Sequence, residues 1–253
     1  MLTISNMTVS YRTVKVLEDI KFSLYPCEFT ALLGSNGTGK SSLLKAVSGL
    51  IPSEGQINFQ NRLNLSPKEC GEVIAYMPQD TGGTSSLTVL EVILLGRLTS
   101  LGMRVPEDLQ AEAYQSLIAF GLESLATRTL DELSGGQRQL VYLAQSLFRN
   151  PDVLFLDEPT AALDLRHQLI VLDKVSSHCK NNGTTAMAAM HDISLAGRYA
   201  DRLICLSKGR IIADGRPQDV LSESLIRNLY GVEADIVNGE NGTLHITPLR
   251  AVG

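Results

Sequence analysis

The chain has 253 residues, 44% of them hydrophobic and 19% charged, and a formal net charge of −5. That length suits one large α/β domain or a domain carrying an inserted lobe, and the apolar content is enough for a core. The negative balance gives no general pull toward nucleic acid, and no apolar run reaches the roughly 18 residues of a membrane helix, so neither a nucleic-acid partner nor a membrane span is expected.

The N-terminal stretch MLTISNMTVSYRT lacks the charged start and apolar centre of a signal peptide, so a soluble chain is expected, with any membrane connection made through another polypeptide. Cys27, Cys70, Cys179 and Cys205 are far apart and form no C-x-x-C pair, which points to reduced, mostly buried thiols rather than a disulfide or metal site.

Leu2 to Ser10 and Ile20 to Leu24 alternate apolar with polar residues, predicting two strands of an antiparallel piece. Tyr11 closes the first, where its ring can cover the core or stack on a base. The apolar run Phe29 to Leu33 predicts a buried strand, and Ser42 to Val47 predicts a helix.

Between them stands GSNGTGKS: Gly34, Ser35, Asn36, Gly37, Thr38, Gly39, Lys40 and Ser41, followed by Ser42. The G-x(4)-G-K-S spacing between strand and helix is that of a phosphate-binding loop. Glycines let the backbone N–H groups turn toward phosphate oxygens, and the helix after the loop presents its positive end to the same anion. Lys40 is expected on the β- and γ-phosphates of ATP, and the Ser41 hydroxyl on Mg²⁺.

Ile51 to Gly55 reads as a turn, Gln56 to Phe59 and Val73 to Met77 as strands, and the Gly/Ser/Thr-rich Asp80 to Ser86 as a hinge. From Leu87 to Asn150 the apolar spacing turns helical: Val89, Val92, Ile93 and Leu95; then Ala113, Leu117, Ile118 and Phe120, stopped at Gly121; then Gln137 to Phe148, ended by Pro151. A helical lobe inserted in an α/β core is therefore expected over about residues 85–150. Val153 to Leu156 is continuous enough for a central parallel strand covered on both faces. A helix at Arg166 to Lys180, a strand at Thr184 to Met190, a helix at Ser194 to Tyr199, and strands near Leu203 to Leu206 and Arg210 to Ala213 come after it. Ala234 to Val237 and Leu244 to Thr247 flank NGENG and suggest a terminal hairpin.

Four further features suit one chemistry. Asp157 and Glu158 end the central strand, where the first can hold a Mg²⁺ shell and the second can orient and polarise a water that attacks the γ-phosphate. Gln79 ends another strand, placing an amide within reach of metal and water. His191 comes directly after the strand Thr184 to Met190 and can bond the γ-phosphate or position Glu158. In LSGGQ, Leu133 to Gln137, Ser134 can cap a helix whose first turn, Gly135, Gly136 and Gln137, bares its N–H groups as a second anion site. Two phosphate-binding surfaces on different lobes are satisfied by a head-to-tail homodimer, each LSGGQ closing over ATP held by the other subunit.

Tyr11, the loop 34–41, Gln79, LSGGQ, Leu154 to Glu158, Ala162-Leu163-Asp164 and His191, in that order, resemble the ATP-binding cassette (ABC) subunit of a membrane transporter. The resemblance covers about residues 2–231. It implies a P-loop NTPase (RecA-like) core with an antiparallel β subdomain and an inserted α-helical subdomain, over residues 1–231, with residues 232–253 as a short C-terminal β-hairpin extension. It implies ATP hydrolysis with Mg²⁺, adenine stacking at Tyr11, Asp164 at the dimer seam, and integral membrane permease subunits as partners. It further implies a periplasmic or extracellular substrate-binding protein as an indirect partner, and a peripheral place on the cytoplasmic face of the inner (cell) membrane. Ser35, Ser42 and Cys27 depart from residues common in the family without removing a catalytic group. LLGR at 94–97, LDLRHQL at 163–169, HDISLAGRYADRL at 191–203 and the run from Pro217 to Ile236 resemble importers of iron chelates, haem and cobalamin. Leu98, Thr99 and Ser100 stand where that group often has a proline-histidine pair, and molybdate or another metal stays open as cargo. A soluble ABC ATPase of cluster assembly or DNA repair, and a kinase sharing the loop, are rivals. Residues from Gln79 to about Met103 are expected to form a groove for a permease helix.

Overall fold

Strands β1 (Leu2–Tyr11) and β2 (Val14–Leu24) pair antiparallel, with Leu2 opposite Leu24 and Tyr11 opposite Val14. The second begins earlier than its alternation predicts, because the register slips between Met7 and Val9 and Asp19 turns left-handed (φ 51°). A bulge breaks the period-two signal without ending the ladder. These strands and all later elements belong to a computed structural model that describes residues 1–79, 85–97, 105–239 and 244–252.

Then come β3 (Phe29–Leu33), α1 (Lys40–Val47), β4 (Glu54–Phe59), β5 (Arg62–Leu63), α2 (Pro67–Val73) and β6 (Ile74–Met77). Helix α2 is absent from the sequence-based expectation, which ran a strand from Val73. Only Cys70 and Val73 of α2 are buried, too few for a visible period, but the local signal was present: Ser66 and Glu69 form a reciprocal capping box with Pro67 at the first turn. The helical lobe holds α3 (Val89–Leu95), α4 (Glu107–Ala119), two 3₁₀ turns (Glu123–Leu125 and Leu130–Glu132) and α5 (Gly135–Phe148). The core resumes with β7 (Val153–Asp157), α6 (Leu165–Asn182), β8 (Thr185–Ala189), α7 (Ile193–Tyr199), β9 (Arg202–Ser207) and β10 (Arg210–Gly215). Last come α8 (Pro217–Val220), α9 (Glu223–Tyr230) and the antiparallel pair β11 (Val232–Asn238) and β12 (Leu244–Ala251). Most of the expected hinge (80–84), Leu98 to Ser100, Met103 and the Glu240 to Gly242 part of NGENG lie outside the described residues.

The main sheet has the order β10-β9-β3-β8-β7-β6, parallel except for β10. Its inner strands β3, β8 and β7 are buried on both faces because each face has its own core. Val153 and Phe155 join Leu43, Leu44 and the β1–β2 residues Ile4, Val9 and Leu17 on one side. Leu154 and Leu156 join Ile93, Leu117, Leu143 and Leu172 on the other. Alternate residues point oppositely, so a continuous apolar run serves two cores at once. The second sheet, β2-β1-β4-β5, carries the antiparallel subdomain.

Cys70, Cys179 and Cys205 are buried and Cys27 is exposed, in keeping with mostly buried thiols. Cys27 occupies a left-handed turn position (φ 62°) before β3, where no side chain needs to reach inward.

Candidate functional site

Strand β3 ends at Leu33, and the chain must leave the sheet at once. A Cβ on Gly34 would lie 2.4 Å from the Leu206 carbonyl oxygen, so the loop can start only with glycine. Gly39 (φ 103°) then caps α1 without any side-chain hydrogen bond. Helices α2, α3, α5, α6, α7 and α9 all have a Ser, Thr or Asp cap that accepts from the first turn. The first-turn N–H groups of α1 are thus left for an external acceptor, which suits an anion.

Lys40 is buried and turns back over the loop, donating to the carbonyls of Gly34 (2.7 Å) and Ser35 (3.2 Å). Burial pulls its pKa down, and the nearby carboxylates of Glu158 and Asp157 oppose the shift. Thr38 ties the loop from within, its hydroxyl donating to Ser35 O at 2.8 Å.

The sheet order sets β7 beside β8 and β8 beside β3, which brings three strand ends to the loop. Ser41 Oγ donates to Asp157 Oδ1 at 3.0 Å, and Tyr76 Oη donates to Oδ2 at 3.2 Å. Burial raises the Asp157 pKa, the two hydrogen bonds working against it. Glu158 gathers two more side chains. Gln79 Nε2 donates to its Oε2 at 2.7 Å, and His191 Nε2 lies 2.5 Å from its Oε1. With both carboxylate oxygens bonded, its rotamer is fixed. Its backbone is left-handed (φ 53°), a costly conformation for a non-glycine residue and one met at functional sites. The strain is held by Glu158 N–H donating to Ala189 O (3.2 Å) and by Gln139 Nε2 donating to Glu158 O (2.8 Å).

A cavity of about 350 Å³ is lined by Asn36, Gly37, Gly39, Lys40, Ser41, Ser42, Gln79, Glu158 and His191, with Val16 on one wall. Tyr11 stands by it, exposed, its hydroxyl 3.3 Å from Ser42 Oγ. Gly34, Ser35 and Thr38 form the backing, and Asp157 lies beneath Ser41. Ser134, Gly135, Gly136 and Gln137 are not among its walls. Ser134 caps α5 in a capping box with Gln137, as its position predicts. A basic loop lysine, a hydroxyl with a carboxylate behind it, and a second carboxylate held by an amide and an imidazole are the groups needed to bind a polyphosphate and activate water.

The family model for the ABC transporter matches residues 17–161. This chain belongs to the ABC transporter family. The cassette is 33% identical over 236 residues to the petrobactin import ATP-binding protein FpuD of Bacillus anthracis, covering 91% of this chain and 86% of that protein. It is 36% identical over 244 residues to the hemin import ATP-binding protein HmuV of Rhodopseudomonas palustris, covering 92% and 89%. A dimeric ATP-binding cassette solved in a post-hydrolysis state with ADP and Pi superposes with a TM-score of 0.78 at 27% identity, over 86% of this chain and 99% of that one. The fold is that of a P-loop NTPase, and the cassette is an ABC-type ATPase.

Three residues that hold this site were not singled out from the sequence. Gln139, two positions past LSGGQ, is a buried amide on a helix and could have been noticed as a polar residue on an apolar face. Tyr76 and Tyr230 carry no local signal, since their partners are 81 and 196 residues away.

Proposed function

We propose that the cassette is the ATP-hydrolysing subunit of an importer of iron chelates, siderophore complexes first and haem or cobalamin next, acting as a homodimer on permease subunits at the cytoplasmic face of the cell membrane. Glu158, pinned between Gln79 and His191 at the mouth of a phosphate loop, is the observation that carries the ATPase part. Asn36 to Ser42 would hold the phosphates and Tyr11 the adenine. Ser41 and Asp157 offer a hydroxyl and a carboxylate oxygen 3.0 Å apart, hard donors of the kind Mg²⁺ takes, and the Gln79 amide, bonded to Glu158 through Nε2, would add its oxygen to them. Bound Mg²⁺ would supply charge neutralisation on the phosphates. Glu158 would orient the attacking water and draw off its proton, and His191 would fix the carboxylate.

A Cβ on Gly135 would meet nothing within 4 Å. The described residues therefore give no packing reason for glycine there, which supports the close approach of something from outside, the nucleotide of a second copy. The ADP- and Pi-bound dimeric neighbour supports the same arrangement. Residues 1–231 would form the motor and 232–253 an extension of it. Among the described residues no helix is long and apolar enough to cross a membrane, so the pore would belong to the permease. A cavity of about 700 Å³ between α2, β6, α3 and α5, lined by Glu72, Tyr76, Leu95, Arg97 and Arg149, would receive a cytoplasmic segment of it. A periplasmic or extracellular binding protein would deliver the cargo.

The test is transport. The cassette co-purified with its permease should hydrolyse ATP and, in a strain lacking it, uptake of labelled ferric siderophore, haem or cobalamin should fail. Loss of molybdate uptake alone would overturn the cargo, and absence of any membrane partner would overturn the importer.

A further inference from the structure

Gly34 is held from two sides. Its N–H donates to the phenol oxygen of Tyr230 at 3.3 Å, and its carbonyl accepts from Lys40 Nζ at 2.7 Å. These groups sit on successive peptide planes, and the joint between them is the Cα of a residue with no side chain to restrict its rotation. The two hydrogen bonds supply the restraint that a Cβ would otherwise give. Burial pushes the Tyr230 pKa up to about 12, so the phenol stays a neutral acceptor.

Tyr230 is the last residue of α9, and the C-terminal hairpin closes back on that helix end. Gly231 caps the helix in the left-handed conformation (φ 64°), and its carbonyl accepts from Val252 N–H at 2.7 Å, at the far end of β12. Ala234 and Leu244 of the hairpin are buried, and Ile236 and Ile246 pack on the main core. Neither Tyr230 nor the hairpin lines the 350 Å³ cavity. The extension is thus anchored at both ends, and the residue it clamps is the one touching the phosphate loop.

We propose that Tyr230 is a positioning residue for the phosphate loop, and that strands β11 and β12 hold its phenol against Gly34. The proposal rests on reading residues 34–41 as the nucleotide phosphate site. A Lys40 ammonium that leaves the loop carbonyls for a phosphate gives up its hold on Gly34. Tyr230 is then the restraint that keeps the first glycine, and the N–H groups after it, aimed at the anion. Without the phenol, the Gly34 N–H must be paired by rotating its plane, and the loop loses pre-organisation.

The experiment compares full-length Tyr230→Phe, Val252→Pro and the double variant with the wild type, by ADP binding, steady-state ATPase kinetics and thermal melting. Phenylalanine keeps the ring and removes the oxygen; proline removes the donor to Gly231, and also fixes φ at position 252 and restricts Ala251 before it. Tyr230→Phe should weaken ADP binding about three- to tenfold and raise KM by a similar factor, with a smaller change in kcat and a near-native Tm. Val252→Pro should act in the same direction, and the double variant should bind no worse than Tyr230→Phe, because both act through one contact. Wild-type affinity in Tyr230→Phe overturns the proposal, as does a loss of affinity that merely tracks a large fall in Tm or adds fully in the double variant. A wild-type protein that binds no ADP overturns this proposal together with the phosphate-site reading beneath it.

Discussion

Ser41 and Asp157, 116 residues apart in sequence, meet through a 3.0 Å hydrogen bond from Oγ to Oδ1. The bond joins the first turn of α1 to the end of β7 across the width of one intervening strand, β8. It holds a carboxylate in a place where burial penalises its charge. The site therefore carries a cost in the free protein that a bound cation would remove.

That cost has a sign in pH. Because the folded carboxyl of Asp157 holds its proton more readily than the unfolded one, its contribution to stability is full below the ordinary carboxylate value and is lost as pH rises through the raised one. Asp157→Asn has no such loss. Its Tm relative to the wild type should therefore rise as the pH climbs above the ordinary carboxylate value, each kcal/mol appearing as about 2–4 °C, while ATPase activity disappears. A difference in Tm that stays flat or falls over that range would remove the buried charge from the account.

Glu158→Gln keeps the size of the side chain and removes its ability to take a proton. Nucleotide binding should persist while turnover falls roughly 10²- to 10⁴-fold, measured by phosphate release. Near-normal turnover would mean that another group polarises the water.

Lys40→Ala should act on binding itself. A charge-assisted hydrogen bond is worth about 1.5–3 kcal/mol, so ADP affinity should fall about tenfold or more by calorimetry. Unchanged affinity would count against the phosphate-loop geometry.

Gly135→Ala tests the second copy. With open space around the new methyl group, Tm and single-subunit ADP binding should stay at wild-type levels, whereas turnover should drop about tenfold or more, equal to about 1.4 kcal/mol of barrier. Full activity would show that nothing approaches Gly135 closely.

Cys27→Gly should stabilise the chain. A side chain at φ 62° costs about 1–2 kcal/mol, and the extra freedom that glycine gives the unfolded chain offsets about 0.4–1 kcal/mol of the relief. A rise in the urea midpoint worth about 0.5–1 kcal/mol is expected; a fall would mean that the thiol makes a contact worth more than the strain.

Local rules carry a reader far along this chain. The loop from Gly34 to Ser41 was legible because glycine spacing, a lysine and a flanking strand and helix all lie within about 20 residues, and β7 was legible because burial on two faces demands an unbroken apolar run. Helix α2 was missed because it buries only Cys70 and Val73, so its evidence lay in a cap rather than a period. The length of β2 was hidden by a bulge that breaks alternation.

The sequence by itself determined many of the parts: which residues could meet phosphate, which could activate water, and where the strands and helices with a clear apolar period ran, because backbone conformation and side-chain chemistry are properties of neighbours in the chain. Only the tertiary structure decided their pairing. That Glu158 is gripped by Gln79, His191 and Gln139, and that Gly34 leans on Tyr230, comes from sheet order and packing between segments far apart in sequence. Such contacts leave no periodic or local trace, since a hydrogen bond depends on where two groups lie in space and not on the residues beside them.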